Sequence, residues 1–303
     1  MNKVVTVIGA RPQFIKAAAV SRVLRKNDGI KEIIVHTGQH FNHSMSSVFF
    51  QEMQIPEPDY NLEINCLSHG AMTGRMIEKI EEVLVVEKPD WVMVYGDTNS
   101  TLAGALAAKK LQIRVAHVEA GLRSFNMKMP EEVNRILTDR ISDILFCPTE
   151  NSVQNLLSEG YKKFDCHILQ VGDVMYDAAL FYGAFSSQRS DIIKRLDLAS
   201  GKYVLCTIHR QENTDNVENL RSIISSLNEI DREMPVILPL HPRTRKILGQ
   251  NQIIPDFIPI EPVGYFDILE LLKNCKLVMT DSGGMQKEAY FFNKYSRSGQ
   301  DYF

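Results

Sequence analysis

The chain has 303 residues, of which 44% are hydrophobic and 23% charged, an ordinary composition for a globular protein of one or two domains. Its formal net charge of −3 gives no overall reason to expect binding to nucleic acid or to an anionic membrane surface. The five cysteines are scattered and odd in number, which favours a reducing compartment over a disulfide framework. No apolar stretch has the length of a signal peptide core or a membrane span, so we expect a cytoplasmic protein.

The first half of the chain alternates short β-branched apolar runs with longer helical patterns. Prolines 12 and 130 stand where a first helical turn tolerates proline. The pattern predicts strands over 4–8, 32–36, 91–95, 115–118, 144–147 and 167–170, and helices over 12–25, 43–53, 71–87, 100–111 and 130–141. Such alternation predicts a parallel sheet with helices on both faces.

A polar segment over 183–200 precedes a second strand–helix series. This series predicts strands over 203–208, 236–240, 257–260 and 277–280, and helices over 216–229, 266–273 and 284–292. We therefore predict two Rossmann-like, doubly wound α/β domains, residues 1–172 and 173–303. Because ligands of such sheets bind at the carboxyl ends of the strands, we expect the two domains to face a cleft.

The first turn after a strand reads Gly9-Ala10-Arg11-Pro12, and Lys16 follows one helical turn later. Backbone amides at a helix N-terminus favour an anion, and Arg11 can add a bidentate contact to phosphate. A tight turn with a solvated arginine explains the same residues equally well. The turn is therefore a candidate phosphate site with a purely structural alternative.

Three carboxylates are predicted to meet at one edge of the first sheet. Asp97 in YGDTNS follows one strand, Glu119 in HVEAGLR follows the next, and Glu131 or Glu132 in PEEVNR opens a helix. Helix capping can explain Asp97 and the helix dipole can explain Glu131 or Glu132, but packing does not explain a glutamate directly after a buried strand. With Arg135 and other arginines nearby, the set indicates proton transfer, because neighbouring carboxylates separate an acid from a base.

The second half places further candidates at its strand ends. His209 in IHRQEN and His241 in HPR end successive strands, which favours a site even though a single such histidine is more often structural. The segment TDSGGMQKEA runs from a strand into a helix. Its backbone amides can bind a diphosphate, and Glu288 one turn later can bind a ribose diol.

Two kinds of bound group are not expected. The first strand–turn–helix lacks the GxGxxG fingerprint, which argues against a nicotinamide or flavin cofactor. The histidines of HTGQHFNH, at positions 36, 40 and 43, do not have the spacing of a standard zinc site. We expect neither a cofactor nor a metal.

The motifs GARPQFIK, VYGDTNST, HVEAGLRS, PEEVNR, IHRQEN and TDSGGMQKEA follow one another between Val4 and about Lys294. Together they resemble the motifs of the non-hydrolysing UDP-N-acetylglucosamine 2-epimerases. The resemblance implies a GT-B-like fold, a UDP-sugar substrate held mainly by the second domain, and no cofactor. It also implies a homodimeric enzyme of surface-polysaccharide biosynthesis.

The resemblance assigns roles to residues that match the motifs. It implies that the catalytic groups are Asp97, Glu119, Glu131 and His209. It implies that the basic residues of the site are Arg11, Lys16 and Arg135, and that UDP contacts His241, Ser282, Gly283, Gly284 and Glu288.

Some details favour a particular branch. HTGQHFNHSMSSVFF, SHGAMTG and SFNMKMPEE are more similar to a branch associated with UDP-2,3-diacetamido-2,3-dideoxyglucuronate 2-epimerases. Two other functions stay open: a glycosyltransferase of the same fold, and an inactive binder of nucleotide sugars.

The chain departs from the family after 292–294, where it reads YSRSGQDYF instead of a proline-led strand. We therefore expect a truncated second domain, in which strand 277–280 is an uncovered edge and helix 284–292 lacks a packing neighbour. On that expectation the chain is less stable than its relatives and weakly active or inactive.

Overall fold

The computed structural model of the protein describes residues 1–39, 53, 55–208, 211–240 and 242–298. The chain divides into two compact units, Met1–Ala178 and Ala179–Phe303. The predicted boundary after residue 172 stays a prediction; it lies just before the helix Val174–Gly183, within which the two units divide.

The first unit alternates strands with helices. Its described strands are β1 (Asn2–Ile8), β2 (Ile30–His36), β3 (Tyr60–Asn61), β4 (Trp91–Tyr95), β5 (Arg114–Val118), β6 (Ile144–Cys147) and β7 (His167–Gln170). Its described helices are α1 (Arg11–Leu24), α2 (His69–Glu87), α3 (Asn99–Lys110), α4 (Pro130–Ile141), α5 (Glu150–Ser158) and α6 (Val174–Gly183), the last of which enters the second unit. The strands are parallel and lie in the order β3-β2-β1-β4-β5-β6-β7.

The central strand β1 is rich in β-branched residues and is buried on both faces, since Thr6 and Ile8, on the face opposite Val5 and Val7, have no exposed surface. Val5 and Val7 of β1 and Val92 and Val94 of β4 have no exposed surface. Helix α3 packs closely on them because Gly104 has no side chain; a Cβ there would lie 3.1 Å from Val94 and 3.2 Å from Val7. Continuous apolar strands are what a parallel sheet covered on both faces requires.

The strand order reverses at β1, which pairs with β2 on one side and β4 on the other. In open α/β sheets, ligands bind beside the carboxyl ends of the strands at such a reversal. The turns after β1, β4 and β5 are therefore the part of this unit where a site is expected.

The second unit contains a smaller parallel sheet. Its described strands are β8 (Val204–Thr207), β9 (Val236–Ile237), β10 (Leu277–Thr280) and β11 (Tyr295–Ser298), in the order β11-β10-β8-β9. Its described helices are α7 (Ser186–Arg189), α8 (Ile192–Arg195), α9 (Gln211–Thr214), α10 (Val217–Asp231), α11 (Pro242–Gln250), α12 (Tyr265–Asn274) and α13 (Gly283–Phe291).

Both faces of the second sheet are covered. Residues along β8 enter two separate apolar clusters in alternation: Val204 and Cys206 pack in one, and Leu205 packs in the other together with Tyr203, which precedes the strand. The predicted fold class, two Rossmann-like doubly wound α/β domains, is thus confirmed. No helix among the described residues is both long and apolar enough to cross a membrane.

The sequence prediction for the end of the chain is wrong in two respects. Residues of the tail form β11, which pairs in parallel with β10 from Leu277 opposite Tyr295 to Thr280 opposite Ser298. The edge of β10 is therefore covered. Helix α13 also has neighbours, since it packs against β10 and β11 and its Ala289 is fully buried. An edge strand needs main-chain hydrogen bonds more than apolar side chains, so a polar tail can supply it.

The predicted strand over 257–260 is also corrected. The structure has only an isolated bridge there, between Pro239 and Ile260. Phe257 is nevertheless buried in the core. The apolar pattern therefore identified burial correctly but not a strand.

Candidate active site

The turn after β1 is held from inside by Gln13, which is 1% exposed. Its Oε1 accepts hydrogen bonds from the amides of Gly9 (2.8 Å) and Ala10 (3.0 Å). Its Nε2 donates to the Tyr95 carbonyl and to Thr101 Oγ1, each at 2.9 Å. One side chain with all its hydrogen-bonding groups satisfied thus joins the turn after β1 to the turn after β4.

This arrangement uses two amides of the predicted anion site inside the protein, and anion binding at the turn stays a prediction. The amides of Gly9 and Ala10 are already donated to Gln13, so they do not face a ligand. What this turn can offer an anion is the side chain of Arg11, which stands at the first residue of α1. Gly9 itself is explained by packing, because a Cβ there would overlap Thr37 Oγ1.

Glu119 follows β5 directly and is tied to Lys16 of α1 by an ion pair. Their side chains are 9% and 8% exposed. Glu119 has a φ of +72°, in the left-handed region that costs a residue with a side chain about 1 kcal/mol or more. Gly96 lies against the pair: its φ is +63°, and a Cβ there would lie 3.1 Å from Lys16 Nζ. Strain at this position fits a side chain placed for chemistry.

Asp97 follows β4, and its carboxylate forms an ion pair with Arg135 of α4. Its side chain is 32% exposed, and its carbonyl accepts from Asn134 Nδ2 at 2.9 Å. The capping explanation of Asp97 is wrong, since Thr98 is the N-cap of α3 and its Oγ1 accepts from the Thr101 amide at 3.3 Å. Asp97 is therefore available for another role.

Glu131 is exposed in the first turn of α4, whereas the next residue, Glu132, is buried at 1% exposure. Glu132 accepts from the amides of Ser124 (2.9 Å) and Phe125 (2.8 Å) and from Arg135 Nη1 (2.9 Å). Burial, the largest single influence, raises the pKa of Glu132, but these donors together outweigh it and lower that pKa. Glu132 thus fixes both the loop before α4 and Arg135.

The resemblance did not point to Gln13 or Glu132. The spacing of Glu132, three residues before Arg135 on one helix, was a usable signal for their contact. No local pattern identifies Gln13, since its partners on β4 and α3 lie more than 80 positions away in sequence.

The second unit offers the N-terminus of α13. Ser282 is the N-cap, and its Oγ accepts from the Met285 amide at 3.3 Å. A Cβ at Gly283 would meet nothing within 4 Å, and one at Gly284 would meet only Ser282 Oγ at 3.7 Å. The packing of the protein therefore does not require these two glycines. Glu288, one turn later, is 5% exposed and accepts from Tyr265 Oη at 3.0 Å.

Comparison with known proteins decides the family. The family model for UDP-N-acetylglucosamine 2-epimerase matches residues 22–296. The chain belongs to this family. It is accordingly an enzyme of the epimerase type.

Individual relatives agree with this assignment. The chain is 54% identical over 293 residues to the UDP-2,3-diacetamido-2,3-dideoxy-D-glucuronate 2-epimerase of Pseudomonas aeruginosa, covering 96% of this chain and 81% of the relative. It is 45% identical over 303 residues to the UDP-N-acetylglucosamine 2-epimerase of Methanococcus maripaludis, with coverage of 97% and 81%.

A solved structure of another protein is also similar to this chain. It is the Methanocaldococcus jannaschii UDP-GlcNAc 2-epimerase in complex with UDP-GlcNAc and UDP, with a TM-score of 0.90 and 43% identity. The match covers 98% of this chain and 83% of the solved one. The GT-B-like fold class expected from the sequence is in accord with this likeness.

Two predicted residues of the epimerase, His209 and His241, lie outside the described residues. The same holds for His40 and His43 of the histidine-rich segment. Within the described ranges, no three His, Cys, Asp or Glu side chains are grouped so as to hold a metal ion.

Proposed function

We propose that this epimerase inverts C2 of UDP-N-acetylglucosamine, giving UDP-N-acetylmannosamine by elimination and readdition of UDP. The observation that carries the proposal is the pair Asp97 and Glu119 at the ends of adjacent strands, each in contact with a cation from a flanking helix. The substrate class is supported by the solved relative, which holds UDP-GlcNAc and UDP.

The chemistry explains why several carboxylates are needed. The hydrogen on C2 is not acidic, because no carbonyl is attached to that carbon, so a base can remove it only as UDP leaves C1. The C2–H and C1–O bonds break, the C1–C2 double bond forms, and the products are 2-acetamidoglucal and UDP. Readdition of UDP with a proton delivered to the opposite face of C2 inverts the centre. Proton acceptors and donors are required, but no hydride carrier.

We assign the proton transfers to Asp97, Glu119 and Glu131. The ion pairs with Arg135 and Lys16 fix the first two carboxylates in position, as general acid–base catalysis requires. Glu131 stands in the exposed first turn of α4, with room to contact a bound sugar.

Cations would stabilise the departing diphosphate, and we assign this role to Arg11 and His209. Arg11 is supported by its place at the first residue of α1, beside the reversal of strand order. His209 rests on the family motif alone.

We assign UDP binding to the N-terminus of α13, with Ser282, Gly283, Gly284 and Glu288, and to His241. The two glycines leave space beside their own backbone amides for phosphate oxygens, which such a helix end attracts. Glu288 can accept from ribose hydroxyls as it now accepts from Tyr265.

A second substrate deserves a direct test, namely UDP-2,3-diacetamido-2,3-dideoxyglucuronate. The supporting observation is the 54% identity to the Pseudomonas enzyme, against 45% to the UDP-N-acetylglucosamine 2-epimerase of Methanococcus maripaludis. Both sugars carry an acetamido group on C2, so the same carboxylates would serve both.

The test is incubation with each UDP-sugar in D2O without any acceptor, followed by NMR of C2. We expect deuterium at C2 and the appearance of the C2 epimer, and the faster sugar identifies the substrate. Glu119→Gln serves as the matched control and should bind UDP without exchange. No exchange with either sugar, despite UDP binding, would favour a glycosyltransferase or an inactive binder instead.

We further propose that the enzyme is a cytoplasmic homodimer that supplies precursors for surface polysaccharides. The five cysteines are all free, as expected in a reducing compartment. Light scattering of the purified protein tests the dimer, and a monomer mass would contradict it.

A further inference from the structure

A buried histidine lies behind the two carboxylates. His117 is on β5, two residues before Glu119, and has no exposed surface. Its Nε2 lies 2.7 Å from the carbonyl oxygen of Gly96, the residue before Asp97. Its Nδ1 lies 2.7 Å from Oδ1 of Asp139 on α4. The ring therefore touches the turn after β4 and the helix that carries Arg135.

The hydrogen-bond partners determine where the protons are. A carbonyl oxygen only accepts, so Nε2 must carry a hydrogen. Asp139 Oδ2 accepts from the Gly121 amide at 3.1 Å and from Arg123 Nη1 at 2.7 Å, which favours an ionised carboxylate. An ionised Asp139 can only accept from Nδ1, so Nδ1 carries a hydrogen as well. The ring is then an imidazolium.

The charges of the cluster also balance with this assignment. Arg123 also forms a two-pronged ion pair with Glu159, at 2.7 and 2.8 Å. Asp139 and Glu159 supply two negative charges, and Arg123 supplies one positive charge. A charged His117 completes the balance in a place where an unpaired charge is costly.

The neighbouring cysteine and tyrosine do not change the net charge of this cluster. Burial raises the pKa of the Cys147 thiol on β6 to about 12, and burial also raises the pKa of the Tyr161 hydroxyl. Both are neutral at physiological pH. Arg140 lies on the outer side, over the ring of Phe164.

We propose that His117 is a buried imidazolium and a positioning residue for the epimerase reaction, which holds the turn bearing Asp97 in place relative to Glu119 and α4. Gly96 is bound at both ends, since its amide donates to the Val118 carbonyl at 2.9 Å and its carbonyl accepts from His117. Loss of the ring would release this turn. The inference rests on the proposed catalytic roles of Asp97 and Glu119.

The first experiment measures the protonation state by itself. In wild-type protein labelled with [15N]histidine, we expect both ring nitrogens of His117 to show bonded hydrogens at neutral pH, with the signals assigned by their loss in His117→Gln. A ring nitrogen without a hydrogen would overturn the imidazolium. This result does not depend on catalysis.

The second experiment separates positioning from packing. The amide of His117→Gln can reach the Gly96 carbonyl, whereas that of His117→Asn reaches only toward Asp139. We expect kcat to fall about 100-fold in the asparagine variant and within about 10-fold in the glutamine variant, with KM for the UDP-sugar changing less than about 3-fold in either. His167→Asn, an exposed histidine on β7, is the matched control and should keep wild-type values.

Equal losses of kcat in the two variants, proportional to a loss of thermal midpoint, would overturn the positioning role. Absence of C2 exchange in the wild type would contradict the proposed function instead, and the ring-nitrogen signals would then decide the inference.

Discussion

The strand ends of the first unit and the N-terminus of α13 in the second unit are built differently. In the first, Glu119 and Asp97 are each paired with a cation, and the turn between them is tied down through Gly96. In the second, Gly283 and Gly284 border open space and no neighbouring side chain demands them. On the proposed roles, the first region would hold reacting groups in fixed positions, and the second would leave backbone open to a ligand. This difference is what we expect between groups proposed to act in the transition state and groups proposed only to bind.

The largest expected effect is on turnover. Asp97→Asn and Glu119→Gln should each lower kcat by about 100-fold or more, because positioned acid–base groups contribute roughly that much. UDP affinity, measured by calorimetry, should stay within a few-fold. Asp165→Asn, an exposed carboxylate of the same unit, is the control. Near-normal turnover in both variants would show that these carboxylates only stabilise the fold.

A pair of glycine substitutions tests the comparison directly. Gly96→Ala should destabilise the protein by about 1–2 kcal/mol, because φ is +63° and the methyl group would press on Lys16. Gly283→Ala should leave the thermal midpoint unchanged while weakening UDP binding about tenfold. The reverse pattern, with Gly283 controlling stability, would remove the distinction between the two regions.

The lowered pKa of Glu132 predicts that the first unit loses stability in acid. Its pKa is lowered, so its stabilising effect is present above the unfolded value of 4.5 and is lost as pH falls through the folded pKa. Glu132→Gln should therefore be less stable at neutral pH by about 1.5–3 kcal/mol, the contribution of hydrogen bonds to a charged group. Urea unfolding at pH 7 and pH 4 measures this effect. The difference in free energy of unfolding between variant and wild type should be smaller at pH 4 than at pH 7.

The smallest effect is expected at Glu32, whose pKa is shifted in the opposite direction to that of Glu132. Burial raises the pKa of Glu32, although hydrogen bonds from Thr6 (2.6 Å) and Ser21 (2.9 Å) oppose the rise. The contribution of Glu32 to the free energy of unfolding is therefore present below pH 4.5 and is lost as pH rises through the folded pKa. In Glu32→Gln this loss of stability with rising pH should be absent. Urea unfolding between pH 4 and 7 would detect the difference. An unchanged pH profile would mean that Glu32 is ionised throughout.

Local sequence determined the elements of the first sheet well. The strands Trp91–Tyr95, Ile144–Cys147 and His167–Gln170 and the helix Pro130–Ile141 have the predicted bounds. β-branched runs and a proline in a first helical turn are signals that a few neighbouring residues contain. The family also followed from the sequence, because its motifs lie at strand ends and occur in a fixed order. The catalytic roles of Asp97 and Glu119 stay predictions.

Tertiary structure alone decided which groups these residues contact. Gln13 takes the amides expected to bind an anion, and Glu132 rather than Glu131 turns inward. His117 meets Asp139, 22 positions away, only because β5 and α4 pack together. Strand β11 forms only because β10 offers it an edge. Periodicity records which side of an element is buried, whereas hydrogen-bond partners between distant turns depend on how the elements pack, which no local pattern contains.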